Sequence, residues 1–105
     1  MKTYDIILIG TGQATGVMLP EFLNMGKSVA TIEKDRVGGT CVNWGCTPTK
    51  TLVAGARAAH MVGRAGDFGI NVSDFDVDFP KAMERQNKNR DQATAGFENW
   101  LREAT

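Results

Sequence analysis

Tyr4 to Ile9 is almost continuously apolar and β-branched, the pattern of a short buried strand. Gly10-Thr-Gly12 interrupts it at once. From about Gln13 to Met25, Val17, Met18, Leu19, Phe22 and Leu23 recur at a spacing that predicts a helix with one buried face. Pro20 lies inside that helix, where it removes a backbone bond and crowds the carbonyl of Gly16, so a kink is expected. Gly26 then ends the helix as a C-cap. Ser28 to Glu33 repeats the strand pattern, and strand, helix, strand predicts a right-handed βαβ unit with parallel strands.

The next stretch, Val37 to Thr49, reads as turn-rich, and a helix is predicted from about Thr49 to Gly63, where Leu52, Val53, Ala56, Ala59 and Val62 fall at helical spacing. Phe68 to Val72 reads as a short strand or an extended link. Asp78-Phe79-Pro80 has the form of a helix start, an acidic cap with proline just inside, and opens a last helix over about 80–103. Its apolar residues sit at the two ends, with eight polar residues from Glu84 to Asp91 between them. That middle is either a solvated face or a bridge between two packed bodies.

With 105 residues the chain has room for one domain of ordinary size. Twelve Lys and Arg balance twelve Asp and Glu, which argues against nucleic acid or an anionic membrane as the main partner. The charge is unevenly spread: +3 over residues 1–66 and −3 over 67–105, where Asp67, Asp74, Asp76 and Asp78 cluster. No apolar run approaches the ~20 residues of a membrane span. The first strand begins within a few residues of Met1, so no secretory leader is expected and a cytoplasmic protein is.

Two features carry chemistry. The first is Gly10-x-Gly12 between strand and helix, followed by Glu33 at the end of the next strand. The first glycine permits the sharp turn, and the second lets a pyrophosphate approach the backbone at the helix N-terminus. An acid closing the second strand accepts hydrogen bonds from a ribose diol. In this order the elements point to dinucleotide binding, the alternative being a glycine turn that serves only packing. Thr15 stands at the third glycine position, with Gly16 one residue late.

The second is Cys41-Val-Asn-Trp-Gly-Cys46. Structural zinc wants four ligands and only His60 could join the two thiols, so no metal site is expected. On a regular helix, Cα atoms five residues apart lie about 8–9 Å from each other. A disulfide tolerates at most about 7 Å. Either the pair does not bridge, or residues 41–46 depart from regular helix, which Gly38, Gly39, Asn43 and Gly45 make feasible. So short a loop would stabilise the fold by only about 2 kcal/mol, so a redox role explains the pair better than a structural one. Cys46 stands beside a predicted helix N-terminus, which favours thiolate, and Lys50 one turn on adds positive charge.

Gly38-Gly-Thr-Cys-Val-Asn-Trp-Gly-Cys-Thr-Pro-Thr-Lys50 resembles the redox-active disulfide motif of the class I pyridine nucleotide–disulfide oxidoreductases, flavoproteins that include glutathione reductase, dihydrolipoamide dehydrogenase and mercuric reductase. The order of βαβ unit, acid and cysteine motif is also theirs. The resemblance is strong over about Tyr4 to Ala65 and looser beyond, and the run after Pro48 is most similar to mercuric reductase-like members. It implies a Rossmann-like α/β half-domain with parallel strands and a long C-terminal helix. It further implies FAD held by Gly10, Gly12, Gln13, Ala14, Thr15, Glu33, Lys34, Gly39, Thr40 and Lys50. Cys46 is then the thiol facing the flavin, in charge-transfer contact as thiolate, and Cys41 the interchange thiol, with Lys50 beside them. Electrons would pass from NAD(P)H through FAD to the cysteine pair, and on to a small-molecule disulfide or a soft metal ion. Trp44 and Thr47 stand where smaller or aliphatic residues are usual in the family.

The resemblance also marks what residues 1–105 do not contain. No second G-x-G-x-x-G for a nicotinamide cofactor is present, and no segment corresponds to the family's dimerisation domain. The expectation is an N-terminal part of a FAD-binding domain, without NAD(P)-binding and dimerisation domains, whose full-length form is a homodimer. The alternative is a nucleotide- or partner-binding fragment with no turnover of its own.

Overall fold

The computed structural model describes all residues, Met1–Thr105. The apolar run forms β1 (Ile6–Ile9), followed by α1 (Gln13–Asn24) and β2 (Val29–Ile32). The strands pair in parallel, Ile6 opposite Val29 through Ile9 opposite Ile32, which is the expected βαβ unit. Asp5 and Ser28 fasten its open end: Asp5 Oδ2 accepts from the Ser28 N–H and hydroxyl at 2.8 Å each. These bonds hold the Asp5 carboxyl below the usual carboxylate range, the Ser28 backbone contributing most. Pro20 lies within α1 without ending it, and Gly26, at φ +72°, lets the chain turn back towards β2.

The chain continues through α2 (Gly39–Trp44), α3 (Cys46–Gly63), a 3-10 turn (Ala65–Phe68) and α4 (Phe79–Ala104). The segment expected to be turn-rich, Val37 to Thr49, is therefore mostly helical. Phe68 to Val72 forms no strand; after Phe68 the chain runs as a link without regular structure to Asp78. Asp78 caps α4 by accepting from the Lys81 N–H at 3.0 Å, with Pro80 in the first turn.

The core sits where α4 returns to the sheet. Leu19, Val29 and Leu101 are buried there, with Ile6, Leu8, Phe22, Leu23, Phe97 and Trp100 packed around them. Phe97 and Trp100 stack at 5.3 Å, and the Phe97 ring lies beside Gly16. Val17 and Met18, expected on the buried face of α1, are instead exposed, and no residue of α3 is fully buried.

α4 is the bridge of the two alternatives. Its C-terminal end packs on the βαβ unit, while its polar middle reaches α2, α3 and the loop before α2. Arg85 donates to the Thr51 carbonyl, Asn89 to the Thr51 hydroxyl, and Thr94 to Asn43, while Arg36 pairs with Asp91 at 2.7 Å. The Asp91 carboxyl is held below its usual range by Arg36 and then Arg90. The result is elongated, 67 × 25 × 18 Å, with a radius of gyration of 20.0 Å against about 13 Å for a compact chain of this length. One sheet face is bare: Ile7, Ile9 and Ile32 are more than half exposed.

Candidate functional site

Gly10 leaves β1 at φ +100°, a conformation that favours glycine, and its N–H donates to the Ile32 carbonyl at 2.6 Å. Gly12 immediately precedes α1. A methyl group on either glycine would meet nothing within 4 Å. The space where a Gly12 side chain would stand is therefore empty, which leaves the mouth of the helix open. No side chain caps α1 and no acid lies in its first turn. The N–H groups of Gln13 and Ala14 have no carbonyl partner, the arrangement that receives a phosphate. Thr15, at the third glycine position, is buried and donates its hydroxyl to the Gly10 carbonyl at 2.8 Å. It braces the turn from behind.

Glu33 follows β2 and reaches this turn. Its Oε2 accepts from the Thr11 N–H at 2.8 Å and from the Thr11 hydroxyl at 2.6 Å, and its Oε1 accepts from the Asp35 N–H at 3.0 Å. These bonds, the Thr11 hydroxyl first, hold the Glu33 carboxyl below the usual glutamate range, so it is ionised at neutral pH. A cleft of about 250 Å³ opens between this carboxylate and the end of α4, where Arg102 lies on the opposite side. Lys34 is exposed and makes no side-chain hydrogen bond or ion pair.

The cysteine segment is built against the same turn. Gly38 and Gly39 both have positive φ, +103° and +67°, and swing the chain into α2. A methyl group on Gly39 would lie 2.8 Å from the Gly12 Cα, so the two glycine-rich segments touch through bare backbone. Gly38 N–H also donates to the Thr11 hydroxyl at 3.2 Å.

Cys41 lies on α2 and Cys46 opens α3. Between them Gly45, at φ −123° and ψ −108°, interrupts the helix. A methyl group there would sit 3.2 Å from the Cys41 Cα and 3.1 Å from the Thr40 carbonyl oxygen, closer than such contacts normally come. The break brings the two Cα atoms to 4.8 Å and the sulfurs are bridged, which settles the choice left open by the spacing. Cys46 is exposed and Cys41 half-buried; Thr40 and Lys50 are exposed on the same two helices, and Trp44 is exposed at the end of α2. His60 lies exposed in the last turn of α3, and no group of three or more metal-binding side chains exists.

The sequence pattern did not single out Thr11 or Thr94. Thr11 is 2% exposed and joins Glu33 to Gly38. Asn43, between the cysteines, is 1% exposed and wholly engaged: its amide N–H groups reach the Val37 and Gly39 carbonyls at 3.0 Å, and its Oδ1 accepts from the Thr94 hydroxyl at 2.8 Å. The available signal was polar side chains at positions that the glycine turns and the two helices enclose.

Comparison with known proteins supplies the frame for this geometry. No family model matches the chain. A dihydrolipoyl dehydrogenase of Chlorobaculum parvum is 34% identical over 101 residues, covering 96% of this chain and 22% of that protein. A dihydrolipoyl dehydrogenase of Acholeplasma laidlawii is 36% identical over 96 residues, 90% of this chain and 29% of that protein. That of Chlamydia trachomatis is 36% identical over 85 residues, 81% of this chain and 18% of the relative. The chain thus spans less than a third of the length of these curated relatives. The similarity nevertheless runs well past Ala65, through the link and into α4, beyond the stretch where the motifs carry it. A parallel βαβ unit whose glycine turn touches a bridged C-x4-C segment, in a chain at least 34% identical to these enzymes along most of its length, belongs to the class I pyridine nucleotide–disulfide oxidoreductases, in their N-terminal portion.

Proposed function

We propose that residues 1–105 form the flavin-side part of an FAD-dependent disulfide oxidoreductase, with Cys41 and Cys46 as its redox pair. The observation that carries this is the contact of Gly39 with Gly12, which sets the disulfide segment directly on the nucleotide turn. FAD supplies a two-electron carrier between a nicotinamide reductant and the cysteine pair. Gly10, Gly12, Gln13 and Ala14 would offer open backbone to its pyrophosphate, and Glu33 its ionised carboxylate to a ribose diol. Thr15 steadies that turn, and Lys34, Gly39, Thr40 and Lys50 complete the nucleotide and flavin sides.

The chemistry of the cysteines follows from their placement. In the dithiol form, Cys46 sits at the head of α3, where helix N–H groups stabilise a thiolate. Cys41 attacks a substrate disulfide; a Cys41–substrate bond forms and the other substrate sulfur leaves as a thiol. Cys46 then attacks the Cys41 sulfur, the mixed disulfide breaks and the second substrate thiol departs. Two electrons and two protons pass to the substrate, and the Cys41–Cys46 bond is restored. The reverse sequence oxidises a dithiol. Similarity to dihydrolipoyl dehydrogenases favours a dihydrolipoyl-type dithiol as substrate over the soft metal ion of mercuric reductase-like members. NAD(P)H as the reductant and a homodimeric assembly are part of the same proposal. A cytoplasmic setting suits a pair that must cycle through the dithiol, and no helix is long and apolar enough to cross a membrane.

Titration of the purified chain with FAD, read by quenching of flavin fluorescence, tests the reading. Saturable binding that Glu33→Ala weakens about tenfold is expected, on the scale of one hydrogen bond to a charged group. No binding, or binding indifferent to Glu33 and Gly12 substitutions, would leave the non-catalytic alternative.

A further inference from the structure

We infer that Thr94 is a positioning residue for the redox pair: through its bond to Asn43 it sets how readily the Cys41–Cys46 disulfide is reduced. The inference deepens the proposed function and rests on that reading.

The geometry is specific. Asn43 lies within the six-residue loop that the disulfide closes, and its side chain makes no contact with solvent to speak of. Both of its amide donors are spent on carbonyls at the entry to α2, those of Val37 and Gly39. Its remaining acceptor takes the Thr94 hydroxyl from α4, 51 residues away in sequence. α2 is only six residues long and has no side-chain cap, so little else in its own sequence holds it in place. One polar side chain therefore ties the Cys41 helix to a long helix that is itself anchored in the core by Leu101.

Such an anchor acts unequally on the two redox states. When the sulfurs are joined, the covalent bond itself keeps Cys41 near Cys46. When they are reduced, only non-covalent contacts do so. Removing the anchor gives the dithiol form more freedom and lowers the effective concentration of one thiol at the other, so the disulfide becomes easier to reduce. A general loss of stability that weighs equally on both states leaves this equilibrium untouched.

The test uses the 105-residue protein equilibrated with mixtures of reduced and oxidised dithiothreitol, with free thiols counted after acid quench. Each reduction consumes one dithiothreitol dithiol, which becomes the cyclic disulfide as the Cys41–Cys46 bond opens to two thiols. Thr94→Val, which keeps the shape and removes the hydroxyl, is expected to be half-reduced at a dithiol-to-disulfide ratio about five- to tenfold lower than the unaltered protein, the scale of one hydrogen bond. Thr94→Ser should restore the original midpoint. Asp78→Ala, which weakens α4 at its other end, should lower stability without moving the midpoint. Should Thr94→Val fail to fold, Thr94→Ala reports on the same hydroxyl with the same readings. An unchanged midpoint in the Thr94 variant, or an equal shift in Asp78→Ala, overturns the inference while leaving the redox pair intact. Two free thiols in every protein before reductant is added would overturn both.

Discussion

Thr11 presents its backbone N–H and its hydroxyl to the same oxygen of Glu33, at 2.8 and 2.6 Å. The carboxylate at the end of β2 is thereby aimed at the glycine turn, and the same hydroxyl receives the Gly38 N–H from the start of the cysteine segment. Thr11→Val keeps the backbone bond and removes the hydroxyl. FAD affinity should fall about tenfold, and a fluorescence titration at neutral pH would detect it.

The pH dependence follows from the same bonds. Because Thr11 and Asp35 lower the Glu33 pKa in the folded state, the stabilisation is present in full above the ordinary glutamate value of about 4.3. It is lost as pH falls through the lowered folded value. Unfolding by urea between pH 7 and pH 3 should show stability level near neutrality and declining below about pH 4.3, with a shallower decline in Glu33→Gln.

Gly12 and Gly39 are both glycines of the candidate site, yet they should respond oppositely to alanine. Gly39 combines φ +67° with a Cβ position 2.8 Å from Gly12, so Gly39→Ala should destabilise the fold by about 1–3 kcal/mol. Gly12→Ala meets nothing and should leave stability within about 0.5 kcal/mol while weakening FAD binding. Urea melts paired with FAD titration separate the two effects.

Much of this was legible in the chain. The apolar runs gave the βαβ unit within two residues of its boundaries, and Asp78 with Pro80 marked the start of the last helix. Glu33 and the cysteine pair stood out because their chemistry needs those residue types at those positions. The stretch from Val37 to Thr49 is helical where its glycines resemble turn signals, because Gly38 and Gly39 supply positive φ to enter a helix and Gly45 supplies a break between two. The polar run Glu84 to Asp91 carries no periodic apolar signal, since its partners are Thr51 and Arg36 and not a core. Phe68 to Val72 alternates as a strand does but finds no partner strand to pair with.

At the start of α4, Asp78→Ala removes the bond to the Lys81 N–H and should cost about 1 kcal/mol, read as a lowered urea midpoint with unchanged FAD affinity.

The glycine turn and the cysteine pair touch through Gly12 and Gly39, and as one flavin site they should report on each other. The most direct measurement is the absorbance spectrum of FAD bound to the purified chain before and after reduction of Cys41–Cys46, in the unaltered protein and in Cys46→Ser. The flavin spectrum should change when the disulfide opens, with no such change in Cys46→Ser. A protein that binds no flavin, or a bound flavin whose spectrum is the same whatever the state of the two sulfurs, would contradict it.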